Sequence, residues 1–146
     1  MASRLDRLDN LLAVSLRDGC LVLVEGGEVI GVWQRLRNDC GVAALATLLN
    51  VDYEKVENSW RSALGRKPGS SHYKDLLKVL SHMGVDAKKV TSTKKGIRRV
   101  RYEPGSNHSH WVVMLGDDGL WCPFSGWHKT IDTYDMPHLG HGIELL

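Results

Sequence analysis

The sequence has few cysteines and little excess charge, and each of these features argues against certain classes of protein. Its 146 residues contain three cysteines, Cys20, Cys40 and Cys122. An odd number at these spacings matches neither a disulfide framework nor a zinc-binding motif. Its 19 lysines and arginines nearly balance its 17 aspartates and glutamates, so net charge gives no general argument for a nucleic-acid partner. We expect free thiols in a reducing compartment.

Long apolar runs are also missing. No stretch approaches the ~20 apolar residues that a membrane-spanning helix needs. Charged residues interrupt the first 19 residues, which therefore lack the unbroken apolar core of a signal peptide. Hydrophobic residues make up 42% of the chain, which is ordinary for a globular protein. These features predict a cytoplasmic protein that makes no use of a membrane.

One segment is locally basic. Seven lysines and arginines occur between positions 88 and 101. A solvated strand edge explains such a run better than an anionic ligand does, because edge charges block aggregation between sheets. Nucleic-acid binding is therefore our lowest-ranked function, and it would predict binding that weakens steeply with salt. The seven residues are Lys88, Lys89, Lys94, Lys95, Arg98, Arg99 and Arg101.

The N-terminal third mixes weak and strong signals. Leucines at helical spacing predict an amphipathic helix over residues 3–16. Two apolar runs around Gly26 and Gly27, from Leu21 to Trp33, predict a β-hairpin, although a loosely attached arm is the alternative. After Asn38 and Asp39, both good N-cap residues, an almost wholly apolar segment predicts a buried helix that ends near Asn50.

The remaining pattern changes from helices to strands at Gly84. Amphipathic helices are predicted over 52–64 and from Ser70 or Ser71 to Gly84. Short β-rich runs follow at 85–90, 96–102, 110–115 and 119–124, with 130–136 as a possible further strand. Helices first and strands second indicate an α+β fold with a largely antiparallel sheet. We expect a single domain over 1–146, with an extension (1–32), a helical part (33–84) and a β part (85–146).

Cys40 is the first candidate for chemistry because it opens the predicted buried helix. A helix N-terminus carries partial positive charge and favours the thiolate, which is the reactive form of cysteine. The competing interpretation is a small core residue, since free cysteine is among the most buried residue types. Cys40 alone does not decide between these two.

Three further residues favour catalysis. Gly41 would leave open space beside the sulfur for a substrate carbonyl. The Gln34 side-chain amide, six residues before Cys40, could bind an oxyanion together with the Cys40 backbone N–H. His110 leads into an apolar strand and is the candidate general base that takes the thiol proton and later returns it.

These residues resemble the active-site motifs of papain-like cysteine peptidases of the bacteriocin-processing type. In that family a glutamine and four intervening residues precede an Asp/Asn-Cys-Gly motif on the nucleophile helix. Gln34 and the segment Asp39 to Leu45 match it. His110 to Val113 resembles the family's histidine strand, and Leu80 to Val85 resembles the end of a later helix. The resemblance runs from Trp33 to Gly126 and implies a papain-like fold, with helices that include the nucleophile helix packed on a C-terminal antiparallel sheet.

The sequence departs from the family at one position. The family places an aspartate before a proline to orient the histidine, whereas Cys122 precedes Pro123 here. A thiol accepts only a weak hydrogen bond and carries no fixed charge near neutral pH. The orienting group is therefore missing, replaced by Cys122, or supplied from elsewhere. By residue type alone, the candidates elsewhere are Asp117, Asp118 and Asp132.

Other histidines and aromatic residues have simpler explanations. His108 and His110 share a strand face, but two histidines without a third ligand do not make a metal site, so we expect none. Trp111 is a candidate for the wall of a substrate groove, although tryptophans are mainly core residues. Cys20 is expected to be structural. We expect the remaining histidines at the surface: His72, His82, His128, His138 and His141. Of these, His138 and His141 could line the cleft without a catalytic role.

The sequence thus predicts a cysteine hydrolase that cleaves a peptide or isopeptide bond through Cys40 and His110. Gln34 would contribute to the oxyanion site, Cys122 is the possible third member, and Gly41 and Trp111 would contact substrate. No cofactor is implied, and the partner is a peptide or protein substrate. Amidase and acyltransferase chemistry use the same groups and remain open. The main alternative is a catalytically impaired scaffold that binds and modulates a protein partner.

Overall fold

A computed structural model describes residues 13–15, 19–24, 27–91, 93–101, 109–129 and 142–146. The described residues form three α-helices and nine β-strands, which confirms the α+β class. The helices are α1 (Cys40–Leu49), α2 (Tyr53–Leu64) and α3 (Tyr73–His82). The strands are β1 (Ala13–Ser15), β2 (Gly19–Val24), β3 (Gly27–Val32), β4 (Ala87–Val90), β5 (Lys95–Arg101), β6 (Ser109–Leu115), β7 (Leu120–Cys122), β8 (Gly126–His128) and β9 (Gly142–Leu145).

The strands divide into two antiparallel sheets. β1, β2 and β3 form one sheet in that order. The other has the order β4-β9-β5-β6-β7-β8, and every described strand pair in it is antiparallel. This agrees with the antiparallel sheet that the sequence predicts. The possible strand at 130–136 lies outside the described residues.

The three helices begin and end within three residues of their predicted bounds, but one cap differs. Asn50 ends α1 in the left-handed conformation, at a φ of 55°. The N-cap of α3 is His72 rather than Ser70 or Ser71. The His72 ring accepts from the Lys74 backbone N–H at 3.4 Å, and the Asp75 carboxylate accepts from the His72 N–H at 2.9 Å. This reciprocal arrangement is a capping box, with histidine in place of the usual serine or threonine.

The predicted helix over 3–16 is wrong for residues 13–15, which form β1. Ala13 lies opposite Val22 and Ser15 lies opposite Cys20, so the segment is the edge of the smaller sheet. Pairing with a neighbouring strand has overridden a local helical pattern. Residues 1–12 lie outside the described part. The predicted hairpin is confirmed, since β2 and β3 pair in register from Gly19 opposite Val32 to Val24 opposite Gly27.

Helix α1 lies at the centre of the hydrophobic core. Its residues 42–46 have no exposed surface, and it packs against α2, β3 and β6. One cluster of buried side chains runs from Cys20 in β2 through α1 to Ile143 in β9. A second, smaller cluster contains Val100, Val112, Leu120 and Cys122. Alternation along the strands explains the two clusters, because odd and even residues of β6 point to opposite faces of the sheet.

The N-terminal hairpin belongs to the packed structure and is not a loosely attached arm. The fully buried Trp121 indole donates to the Val32 carbonyl at 3.1 Å. Its ring also lies 4.7 Å, centroid to centroid, from the Trp33 ring. At Gly31 a Cβ atom would lie 2.3 Å from the Trp121 ring. The hairpin backbone therefore approaches the six-stranded sheet as closely as a glycine allows.

Within the described ranges, no helix is both long and apolar enough to cross a membrane.

Gly31→Ala should destabilise the fold, because the new methyl group would overlap the buried Trp121 ring. We expect a loss of about 1–3 kcal/mol in the free energy of unfolding, the usual range for overpacking. Urea unfolding followed by tryptophan fluorescence measures it. Gly69→Ala is the matched control, because the nearest atom to its new methyl would be 3.8 Å away. Equal stability of the two variants would contradict the tight hairpin contact.

Candidate active site

Cys40 is the first residue of α1 and lies at the boundary of the core, with 9% of its surface exposed. The burial of the following turns fixes the helix axis, and a helix N-terminus carries a partial positive charge. No acidic side chain occupies the first turn of α1, and the buried Asp39 directly precedes it.

His110 lies near the start of β6 and is 3% exposed. The pairing of Val113 with Trp121 and Met114 with Leu120 fixes the register of β6 and β7. Continuing this register places Cys122 across from Val112, on the same face of the sheet as His110. Diagonal neighbours on one face are within reach of aromatic and long side chains. Strand register therefore brings the His110 ring to Cys122.

The imidazole of His110 hydrogen-bonds to two thiols. Its Nε2 lies 3.0 Å from the Cys122 Sγ, and the ring also hydrogen-bonds to the side chain of Cys40. The structure thus brings together three residues that are far apart in the chain and that the sequence analysis selects. The order of contacts is thiol, imidazole, thiol.

Two opposing effects set the charge of His110. Burial lowers the pKa of the imidazole, because the charged ring loses hydration. Hydrogen bonds and charge interactions with Cys122 and Cys40 act in the opposite direction and together raise the pKa to about 9. A protonated His110 is therefore the favoured state near neutral pH. An imidazolium is the partner that a thiolate needs.

Cys122 ends β7, and two nitrogen atoms lie within hydrogen-bond distance of its sulfur. The Ser125 backbone N–H donates to Cys122 Sγ at 3.4 Å, across the short turn that leads into β8. His110 Nε2 approaches the same atom. Cys122 has no exposed surface. Its sulfur is thus hydrogen-bonded inside the core.

Gln34 lies beside this turn, but its side-chain amide is already engaged. Its backbone N–H donates to the Pro123 carbonyl at 3.0 Å, which ties the loop before α1 to the turn after Cys122. Its Nε2 donates to the carbonyls of Leu36 at 2.8 Å and Arg37 at 3.2 Å. The amide of Gln34 must rotate before it can bind an oxyanion. Its Oε1 is buried and has no hydrogen-bond partner among the described residues.

The Asp39 side chain does not cap α1, although its position predicts that it should. It is fully buried and accepts from the backbone N–H groups of Arg35 and Leu36, both at 3.0 Å, and from the Tyr53 hydroxyl. Burial and the neighbouring carboxylate raise the pKa of Tyr53. Asp39 therefore holds the loop that carries Gln34. The sequence analysis does not identify Tyr53, because its contact with Asp39 joins α2 to the loop before α1 and no local pattern reports it.

The surroundings of Gly41 and Trp111 are more closely packed than expected. A Cβ at Gly41 would lie 2.8 Å from the Ser71 Oγ and 3.1 Å from a Leu76 methyl, so that side of Gly41 is filled and not open. Trp111 is 3% exposed, and its indole donates to the Ser71 Oγ at 3.2 Å. Ser71, which the sequence analysis treats only as a possible cap, therefore joins the start of α1 to the histidine strand. A substrate contact for Gly41 or Trp111 remains a prediction.

Several other candidates lie away from the site or outside the described residues. Asp117 and Asp118 are in a short 3₁₀ turn after β6, where the Asp118 carbonyl accepts from the Trp127 indole at 2.9 Å. His72 and His82 are exposed, while His128 is half-buried and lies 2.6 Å from the Ser125 Oγ. Cys20 is buried in β2, which agrees with a structural role. Outside the described residues are His108, Asp132, His138 and His141.

Only part of the basic segment lies on an edge strand of the six-stranded sheet. Lys88 and Lys89 are exposed on β4, which is an edge strand, and the Lys89 ammonium lies 4.3 Å from the centre of the Tyr73 ring. Arg98 and Arg99 are half-buried on β5, an interior strand, so the edge explanation does not cover them. The basic residues thus lie on different strands with different exposure.

Among the residues that the structure describes, no group of three or more His, Cys, Asp or Glu side chains is arranged to hold a metal ion.

Comparison with known proteins adds no assignment: no protein-family model matches the chain, and no curated protein is similar to it.

The titration of His110 tests the electrostatic description directly. NMR of the imidazole C–H should show a midpoint near pH 9 in the wild type. Because this exceeds the ordinary value of about 6.5, the charged ring stabilises the fold fully below pH ~6.5, and this stabilisation is lost as pH rises through about 9. Cys122→Ala should lower the midpoint, since burial then acts against one hydrogen bond fewer. An unchanged midpoint would contradict the contact.

Proposed function

We propose that this protein is a cysteine hydrolase of papain-like type that acts by acyl transfer. The observation that carries the proposal is the buried His110 imidazole, which interacts with the Cys40 thiol at a helix N-terminus and lies 3.0 Å from the Cys122 thiol. Such an arrangement can remove the thiol proton and keep the resulting ion pair in place. The proposed substrate bond is a peptide or isopeptide amide.

The chain order of the elements supports the papain-like part of the proposal. The nucleophile helix α1 precedes the strand β6 that carries the base, and the third member ends the following strand, β7. Helix α1 packs on the antiparallel sheet through β6 and β5. This is the arrangement that the motif resemblance implies.

The reaction follows from the contacts. Since Nε2 of His110 faces Cys122, we assign Nδ1 to Cys40. The Cys40 thiolate attacks the substrate carbonyl and forms a tetrahedral intermediate, whose oxyanion accepts from the Cys40 backbone N–H. The intermediate then collapses to an acyl-thioester, and the His110 imidazolium gives its proton to the leaving amine. In the second half, His110 takes a proton from water, and the hydroxide releases the acid.

Gln34 would complete the oxyanion site after one local change. Its amide hydrogens bond to the carbonyls of Leu36 and Arg37, in its own loop. Rotation about the side-chain torsions would free one N–H for the substrate oxygen. An oxyanion-hole donor of this type contributes about 3–4 kcal/mol of transition-state stabilisation. That is more than the ~1 kcal/mol net value of an ordinary hydrogen bond.

Alkylation of Cys40 by iodoacetamide, read by peptide mass spectrometry, tests the ion pair. In the wild type, we expect Cys40 to be alkylated at pH ~6.5, because the His110 imidazolium stabilises the reactive thiolate. His110→Ala should remove this low-pH reactivity. His82→Ala, at an exposed position, is the matched control and should behave as the wild type. A Cys40 that is equally slow in all three proteins would end the catalytic proposal.

Replacement of Cys122 tests the third position. Cys122→Asp should raise low-pH alkylation of Cys40, because a carboxylate accepts the His110 and Ser125 N–H groups more strongly than a thiol does. Cys122→Asn can orient the His110 ring without adding charge. If the wild type lacks only negative charge at this position, Cys122→Asp should increase the low-pH alkylation of Cys40 and Cys122→Asn should not. If neither variant differs from the wild type while urea unfolding shows both folded, Cys122 has no orienting role.

A second function, a scaffold that binds and modulates a protein partner without turnover, is favoured by two observations. The Gln34 amide donors are already satisfied by backbone carbonyls, and a thiol stands where a carboxylate would hold the histidine. The two functions differ in their dependence on Cys40. Partner capture that survives Cys40→Ala with unchanged affinity supports the scaffold, whereas hydrolysis that Cys40→Ala abolishes supports the enzyme.

A further inference from the structure

The site contains two thiols, whereas acyl transfer by the proposed route needs only one. Cys40 is the first residue of α1, and Cys122 is the last residue of β7 before a three-residue turn. Neither forms a disulfide in this structure, and both interact with His110. The remaining cysteine, Cys20, lies within β2, where its sulfur interacts with the Leu21 carbonyl at 3.9 Å. Only the first two cysteines therefore share a proton-transferring neighbour.

Resting on the proposed function, we propose that Cys40 and Cys122 form a reversible disulfide when the protein meets a hydroperoxide, and that this disulfide switches the hydrolase off. Cys40 is the residue that the oxidant attacks, because it is the more exposed of the two, at 9% against 0% for Cys122. Cys122 is the resolving cysteine. The site then responds to peroxide as well as to substrate.

The two steps balance. The Cys40 thiolate attacks the terminal oxygen of the hydroperoxide, the O–O bond breaks, and His110 gives its proton to the departing alkoxide or hydroxide. This leaves a sulfenic acid on Cys40 and an alcohol or water. The Cys122 sulfur then attacks the Cys40 sulfur, the S–O bond breaks, and the proton of Cys122 joins the departing hydroxide as water. The peroxide is the only oxidant required.

Disulfide formation requires both cysteines to give up their contacts with the His110 imidazole. In the reduced protein, the His110 ring hydrogen-bonds to both sulfurs. A disulfide requires the two Cβ atoms to come within about 3.5–4.5 Å, so each sulfur must exchange its contact with the ring for a bond to the other sulfur. Since each cysteine ends a regular element and borders a loop or turn, a local movement can bring them together. An aspartate at position 122 would orient His110 but could not resolve a sulfenic acid.

Peroxide oxidation of the full chain, followed by non-reducing peptide mass spectrometry, tests the proposal. The wild type should yield a Cys40–Cys122 disulfide, lose alkylation of Cys40, and recover it with dithiothreitol. In Cys122→Ser, Cys40 should pass on to sulfinic acid, and dithiothreitol should not restore alkylation. Cys20→Ser is the matched control and should oxidise and recover as the wild type does.

The outcomes separate this proposal from the hydrolase proposal. If reduced Cys40 shows alkylation at low pH that depends on His110, but peroxide gives sulfinic acid at the same rate in the wild type and in Cys122→Ser, the disulfide switch is wrong and the hydrolase proposal stands. If reduced Cys40 is inert to both reagents, both proposals fail. Because the disulfide is mapped in the wild type, its absence there overturns the switch even if Cys122→Ser fails to fold.

Discussion

The burial of helix α1 is the constraint on which the rest of the structure depends. A helix without exposed surface over residues 42–46 must be covered on every side, and α2, β3 and β6 cover it. Covering it from β3 draws the N-terminal hairpin against the six-stranded sheet. Covering it from β6 brings the histidine strand to the start of the helix. The same apolar packing that stabilises the fold therefore brings Cys40 and His110 together, before any specific polar contact is considered.

Few polar groups inside this core lack a hydrogen-bond partner among the described residues. Thr47, on the buried helix, donates to the Ala43 carbonyl at 2.9 Å and accepts from the Val32 N–H at 2.8 Å, which joins α1 to the hairpin. Asp39 satisfies the loop before α1 in the same manner. An unpaired buried donor or acceptor costs about 1–3 kcal/mol. Loss of the hydrogen bonds that hold the loop and the hairpin would therefore destabilise the fold. The same bonds keep the surroundings of Cys40 ordered.

The Cys122 thiol decides the chemistry of the third position of the proposed site. Its sulfur accepts from the Ser125 N–H and lies 3.0 Å from His110 Nε2. Unlike a carboxylate, a thiol carries no fixed negative charge near neutral pH, and it can be oxidised. The proposed hydrolase and the proposed switch both use this thiol. They share the His110 proton, which either a leaving amine or a departing oxygen can take.

The sequence by itself determined the elements and the chemical types: three helices near their observed bounds, the α+β class, and a cysteine and a histidine in suitable local positions. Periodicity and capping report these features because they depend on neighbours within a few residues. It failed at β1, where pairing with β2 overrides a helical pattern, and at Gly41, whose surroundings are filled by Ser71 and Leu76. Only the tertiary structure decided that His110 interacts with two cysteines and that the Gln34 amide is engaged. Those contacts depend on strand register and helix packing, which no local pattern encodes.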